Sequence, residues 1–246
     1  MLYLIGMGLG GIRSLSLNGL DALKRCTSVY LEGYTSPSKS THTEIEQVVG
    51  RTVKIAERLF VEEGGVLLRE AKEKDVALLV VGDVFSATTH FSLYLQAQKE
   101  GIEVHVLPNA SVLTAVGITG LSLYKFGKTA SIPFERRNLR SPYETLKENG
   151  SAHTLFLLDL DPQHQKFLSI PDAIEYLLQF KKEGLFIEDS LCVACEDLGG
   201  KNKITVGTAK ELKDGSFAAF PQCLIVPGTL HFTEEEALSL YRKKTI

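Results

Sequence analysis

Short apolar runs alternate with amphipathic stretches through the first hundred or so residues. Residues 2–5, 28–31, 76–81 and 103–106 read as strands, and residues 17–24, 61–73 and 88–99 carry apolar positions at helical spacing. The run Ala77-Leu78-Leu79-Val80-Val81 is apolar at every position, the pattern of a strand covered by helices on both faces of a parallel sheet. This alternation predicts α/β architecture. Leu107-Pro108-Asn109-Ala110-Ser111 then joins a proline to capping residues, ahead of an apolar helical stretch beginning near Val112. Beyond it the strands crowd together at 129–132, 154–158, 191–194, 204–206 and 223–226, and the chief helices are 141–148 and 171–182. Closer strand spacing predicts a mixed sheet. The expected division is an N-terminal α/β domain over 1–107 and a C-terminal α/β domain over 108–246, with a ligand cleft between them.

The chain has 246 residues, 44% of them apolar, enough for one large core or two of medium size. Four cysteines are too few for a disulfide framework, and Met1 opens no basic-then-apolar leader, so a reducing cytoplasm is expected. The longest strongly apolar run, over 76–81, is far short of a membrane span. A net charge of −3 argues against a protein that coats nucleic acid. Cys192 and Cys195 form C-x-x-C within a strand, where positions three apart face opposite ways, and Cys26 and Cys223 stand isolated in sequence. No metal is expected.

Gly6, Gly8 and Gly11 match G-x-G-x-x-G after the first strand, and Glu32 follows at about the 20-residue spacing of a dinucleotide-binding fingerprint. That fingerprint requires the loop to feed straight into a helix that receives the pyrophosphate. Here Ile12-Arg13-Ser14-Leu15 intervene before Ser16, the expected N-cap of a helix carrying Leu17, Leu20 and Leu23. The gap weighs against a nicotinamide cofactor. A tight turn explains one or two glycines; four within six residues favour close approach of a flat ligand to bare backbone.

Further motifs follow in order: Tyr30-Leu31-Glu32-Gly33-Tyr34-Thr35-Ser36, Val81-Gly82-Asp83-Val84-Phe85-Ser86-Ala87-Thr88-Thr89-His90, Pro108-Asn109-Ala110-Ser111 and Ala115-Val116-Gly117-Ile118-Thr119-Gly120. Tyr124-Lys125-Phe126-Gly127-Lys128-Thr129 and Leu224-Ile225-Val226-Pro227-Gly228-Thr229-Leu230-His231 complete the set. In this order and spacing the chain resembles the diphthine synthase family, within the larger group of tetrapyrrole-methylase-like transferases. The resemblance covers nearly the whole chain, and the Gly82–His90 segment together with the Tyr124–Thr129 segment is its most specific part. It implies a homodimer of two-domain subunits, each holding folded S-adenosylmethionine in the interdomain cleft and releasing S-adenosylhomocysteine. It also implies translation elongation factor 2 as the protein substrate, methylated on the amino group of a 3-amino-3-carboxypropyl histidine to give diphthine. Neither a membrane nor direct nucleic-acid contact is implied. Carried across residue by residue, the cofactor contacts fall on Leu9, Asp83, Ser86, Ser111, Val112, Leu158, Leu198 and His231.

Each of these residues has an ordinary structural use as well. Asp83 suits a turn or cap as much as a ligand contact, Ser111 can cap the helix that follows it, and His231 can be a satisfied surface or core histidine. Leu9, Val112, Leu158 and Leu198 would read as core without the resemblance. Val84 stands where the family usually has proline, which implies a looser loop and weaker cofactor binding. The segment Cys195–Gly200 is more acidic than its family counterpart. Lys125, Lys128, Arg136, Arg137 and Arg140 form a basic cluster that is either a solvated face or a docking surface for the protein substrate. The competing functions are a tetrapyrrole or corrinoid methyltransferase of the same fold and a non-enzymatic cofactor-binding adaptor.

Overall fold

A computed structural model describes residues 1–162 and 164–242. The chain forms two compact units, Met1–Thr114 with Asp161–His164, and Ala115–Leu160 with the chain from Gln165 onward. The change of unit thus comes a few residues beyond the loop at 107/108.

The first unit runs β1 (Leu2–Gly6), α1 (Leu17–Arg25), β2 (Ser28–Glu32), α2 (His42–Val49), β3 (Val53–Ala56), α3 (Arg58–Glu63) and α4 (Gly65–Glu73). It continues through β4 (Val76–Val80), α5 (Phe91–Lys99) and β5 (Val104–Leu107) into α6 (Val112–Ala115). Its sheet has the order β3-β2-β4-β1-β5 and is parallel throughout. Successive strand residues face opposite ways, so Leu2 and Leu4 pack with Leu67, Leu68 and Leu93 of α4 and α5. Tyr3 and Ile5 pack with Ala22 and Leu23 of α1 and Ile45 and Val49 of α2. Helices on both faces are what the unbroken apolar runs of β1 and β4 require.

Several elements differ from the sequence reading for identifiable reasons. The helix expected over 61–73 is two helices, divided at Gly64, which takes the left-handed φ of 65°. The helix expected from residue 88 begins at Phe91, because Thr88 turns its hydroxyl back onto the Val84 carbonyl at 2.6 Å. Leu17 is 81% exposed, and the buried stripe of α1 is Gly19, Ala22 and Leu23. Helix α2 and strand β3 were not expected, although Thr41 and Glu44 form the capping box that starts α2.

The second unit contains β6 (Ala130–Ile132), α7 (Ser141–Asn149) and β7 (Thr154–Leu158) and then, past the two-residue β8 (Leu160–Asp161) that straddles the change of unit, β9 (Lys166–Phe167) and α8 (Ile170–Leu178). After these come β10 (Leu191–Glu196), β11 (Lys203–Thr208), α9 (Ala209–Lys213), β12 (Gln222–Val226) and α10 (Phe232–Ser239). The sheet order is β11-β10-β12-β7-β6, antiparallel except where β6 lies parallel to β7. It is mixed, as the strand spacing predicts. Phe156 and Leu158, Cys192 and Ala194, and Leu224 and Val226 alternate onto one face, where they meet Ile174 and Leu177 of α8 and Leu212 of α9. Full burial of side chains such as Phe156, Ile174 and Leu224 stabilises by about 1.5–3 kcal/mol each. Helix α8 stops at Leu178, short of the expected 182, and a separate 3-10 turn covers Lys181–Glu183.

Candidate cofactor site

In the first unit β1 and β4 are neighbours, yet β1 leads into α1 on one face of the sheet and β4 into α5 on the other. The chain diverges at their carboxyl ends, the place where open α/β sheets bind ligands. Gly8 and Gly82 close the two strands with reciprocal backbone hydrogen bonds of 3.0 Å each. A Cβ on Gly6 would lie 2.7 Å from the Gly82 carbonyl oxygen and 2.9 Å from Asn109 Cβ, so this approach of three loops requires glycine there. Asn109 joins them: its Nδ2 donates to the carbonyls of Gly6 and Ser14, both at 3.0 Å, and its backbone N–H donates to Asp83 Oδ2 at 3.1 Å. Asn109 lies within a motif singled out above, but its partners are distant in sequence and no local spacing reveals them.

Asp83 Oδ1 accepts the N–H of Phe85 at 3.0 Å, the N–H of Ser86 at 3.1 Å and the Ser86 hydroxyl at 2.9 Å. Partial burial alone would raise its pKa; the donors from Asn109, Phe85 and Ser86 outweigh that and hold the carboxyl below its ordinary value. Asp83 is therefore an ionised carboxylate that orders its own loop. Val84 is buried, and its carbonyl is bonded by Thr88 Oγ1 at 2.6 Å and His90 Nδ1 at 3.1 Å, so side chains hold the loop where a proline ring would. His90 is buried, with Nε2 3.4 Å from the Tyr34 hydroxyl. It braces this loop from beneath.

The Ser111 hydroxyl accepts the Leu113 N–H at 3.2 Å, the capping use open to it from sequence. Leu9 and Ala110 flank Gly82: a Cβ there would lie 3.7 Å from Leu9 Cδ2 and 3.9 Å from the Ala110 oxygen. Leu9, Asp83, Ser86, Ser111 and Val112 thus gather at one end of the parallel sheet. Between the glycine loop and α1, Ile12–Ser14 form a separate 3-10 turn, and Ser16 caps α1 by accepting the Gly19 N–H at 3.0 Å, as its position predicts.

Glu32, the residue a dinucleotide site would aim at a ribose, is 1% exposed. Its carboxylate accepts the N–H groups of Tyr34 at 2.9 Å and Thr35 at 2.7 Å, and the Thr35 hydroxyl at 2.5 Å. Glu32→Ala strands two N–H donors at ~1–3 kcal/mol each, so stability is expected to fall by about 2–6 kcal/mol in denaturant unfolding. Affinity for S-adenosylmethionine is expected to stay within about threefold, since under 1 kcal/mol is at stake there; calorimetry showing a larger loss would return Glu32 to the ligand site.

In the second unit Leu158 ends β7, and Leu198 follows Asp197, whose φ is 54°, in the loop after β10; both leucines are buried. β7 and β10 both run antiparallel to β12, so these two residues share one end of the sheet. His231 belongs to the opposite end, where β12 finishes with Val226 facing Thr154. From there to Leu158 the strand advances roughly 13 Å at ~3.3 Å per residue. The His231 ring is exposed, caps α10 with Nδ1 3.0 Å from Thr233 Oγ1, and lies 4.3 Å from the Phe232 ring centre.

Cys223, isolated in sequence, sits opposite Cys195 in the β10–β12 register, and the neighbouring thiol together with burial pushes the Cys195 thiol well above its ordinary pKa. Cys192 points to the other face, in the core. Among the described residues no group of three or more His, Cys, Asp or Glu side chains is arranged to hold a metal ion. Within the basic cluster, Lys125 pairs with Glu234 at 2.5 Å, Lys128 with Glu148 at 2.7 Å, and Arg140 with Glu144 at 3.0 Å and Glu183 at 2.7 Å. Much of its charge is balanced locally, which favours the solvated-face reading over a docking patch.

The sequence model of the tetrapyrrole (corrin/porphyrin) methylases matches residues 1–213. The chain is 41% identical over 250 residues to the diphthine synthase of Methanocaldococcus jannaschii, covering 97% of each protein. It is 37% identical over 270 residues to the diphthine methyl ester synthase of Dictyostelium discoideum, covering 99% of each. A crystal structure of diphthine synthase superimposes with a TM-score of 0.90 at 34% identity, covering 98% of this chain and 95% of that one. Whole-length similarity at this level, on the two-unit α/β fold described above, shows that the chain belongs to the diphthine synthases of the tetrapyrrole methylase family and is an S-adenosylmethionine-dependent methyltransferase.

Proposed function

We propose that the protein methylates the amino group of a 3-amino-3-carboxypropyl histidine on translation elongation factor 2, giving diphthine. The cofactor half of this reading rests on the three-loop edge of the first unit. Leu9 offers an apolar wall beside bare glycine backbone, and the ionised Asp83 keeps acceptor capacity on Oδ2 for a hydroxyl, an ammonium or the field of a sulfonium. These groups fit S-adenosylmethionine. Leu9, Asp83, Ser86, Ser111 and Val112 would hold it, and the family resemblance adds Leu158, Leu198 and His231 from the second unit. When bound, the cofactor supplies an electrophilic methyl group on a sulfonium.

The acceptor half is supported by what the relatives are called. For this chemistry the protein's main task is alignment, which is worth about 7–11 kcal/mol when the amine is held behind the methyl carbon and water is kept out. A proton must leave the ammonium before each attack, and a positioned base typically adds about 10²–10⁴-fold. A homodimer working in the cytoplasm is part of the same proposal. Among the described residues no helix is long and apolar enough to cross a membrane.

The test combines purified protein, labelled S-adenosylmethionine and elongation factor 2 carrying the unmethylated histidine modification. Label is expected on that histidine; product mass gives the number of methyl groups, and loss of one of them as methanol in mild base shows whether a carboxylate ester is among them. Cofactor binding without transfer would reject the acceptor; transfer to a uroporphyrinogen-like substrate instead would favour the tetrapyrrole reading.

A further inference from the structure

Two of the motifs that carry the resemblance, Tyr124–Thr129 and Leu224–His231, lie far apart in sequence, and within the second unit they meet on one carboxylate. Glu234, 1% exposed, accepts the Ser122 N–H at 2.9 Å and His153 Nε2 at 3.2 Å on Oε1. Its Oε2 accepts Lys125 Nζ at 2.5 Å and the His231 N–H at 2.8 Å. Lys125 Nζ also donates to the Thr229 carbonyl at 2.8 Å. His153 is fully buried, and its Nδ1 accepts the Gly228 N–H at 3.0 Å, so its proton resides on Nε2 and is donated to Glu234. The Thr229 N–H donates to the Ser151 carbonyl at 2.9 Å. A Cβ on Gly228 would lie 2.1 Å from that same carbonyl oxygen, so only glycine lets the turn sit this close.

Capping α10 alone does not call for this arrangement, since an ordinary serine or threonine would suffice. A buried ion pair is also an inefficient source of stability compared with apolar packing. What four convergent donors on one buried carboxylate do supply is a single backbone geometry for residues 228–231. We propose that Glu234 is a positioning residue for cofactor binding: held by Lys125 and His153, its carboxylate fixes the Gly228–His231 turn so that the exposed His231 ring is presented already ordered. Without the clamp that turn would be ordered at the moment of binding, and affinity would fall. The inference rests on the reading that His231 takes part in cofactor binding.

Glu234→Gln removes the charge while keeping the shape. In the ligand-free protein the Gly228 and His231 amides are expected to exchange hydrogen at least about tenfold faster, with those of β7 and β12 unchanged. In methyl-transfer assays below the unfolding range, KM for S-adenosylmethionine is expected to rise about tenfold while kcat stays within about threefold. A merely structural role would lower thermal stability and leave KM alone. Unchanged exchange, unchanged KM, or a fall in kcat at constant KM would each overturn the proposal. Should Glu234→Gln not fold, Lys125→Met is read in the same two ways, with the same outcomes deciding. If the wild-type protein binds no S-adenosylmethionine, the methyltransferase reading and the binding half of this proposal fail together, and the exchange result still decides whether the clamp exists.

Discussion

Asp83→Ala is expected to weaken S-adenosylmethionine binding by about 10–100-fold, through loss of one charge-assisted hydrogen bond at roughly 1.5–3 kcal/mol. The carboxylate organises three N–H groups and a hydroxyl from Phe85, Ser86 and Asn109. Removing it releases both the Asp83 loop and its tie to the Asn109 loop. Asp83→Asn keeps one acceptor oxygen and loses the charge, so a smaller loss, about tenfold, is expected from one weakened interaction. Titration calorimetry on both variants separates the two contributions. Unchanged affinity in Asp83→Ala would leave Asp83 with its loop-capping role alone.

Glu234→Gln is expected to lower the thermal midpoint at neutral pH by about 6–20 °C, from the ~3–5 kcal/mol lost when a buried ion pair is broken in a protein of this size. The pH dependence has a definite sign. Burial alone would raise the Glu234 carboxyl, but Lys125 and the N–H groups of His231 and Ser122 hold it far below the ordinary value. The unfolded chain, with glutamate near ~4.3, then takes up the proton more readily than the folded one. The stabilisation is complete above that value and disappears as pH falls from it toward the lower folded pKa. Wild type should therefore lose stability more steeply than Glu234→Gln between about pH 5 and pH 3, and the two curves should converge. Melting curves that stay parallel down to acid would show that Glu234 is not the group responsible.

Both residues show what local sequence can and cannot reveal. Strands β1, β2, β4 and β7 were legible because their apolar runs depend only on being covered by neighbouring layers. Ser16 was legible as a cap because its partner lies three residues away. The α2–β3 segment was not legible: β3 is four residues long, with Lys54 and Ile55 exposed between buried Val53 and Ala56, a three-residue spacing that lacks the alternation of a strand. At the candidate site, Asp83 is conspicuous as a polar residue directly after a buried strand, whereas Ser86 is singled out by the family resemblance alone. Asn109 is not conspicuous, because its work is done on Gly6 and Ser14 across the sheet end. Glu234 was invisible for the same reason: its charge is balanced by Lys125, more than a hundred residues earlier.

The order of strands in the first unit also bears on how the chain is made. The earliest strand of this sheet in chain order, Leu2–Gly6, lies inside it, with Leu2 opposite Val76 on one side and Val104 on the other. Its backbone donors and acceptors have no native partners until β4 and then β5 have left the ribosome, a wait of roughly 5–20 s at ~5–20 residues per second. Throughout that interval this apolar strand is available to any passing strand. Newly made chains are therefore most exposed to chaperone capture, or to mispairing with a neighbouring nascent chain, before residue 107 emerges.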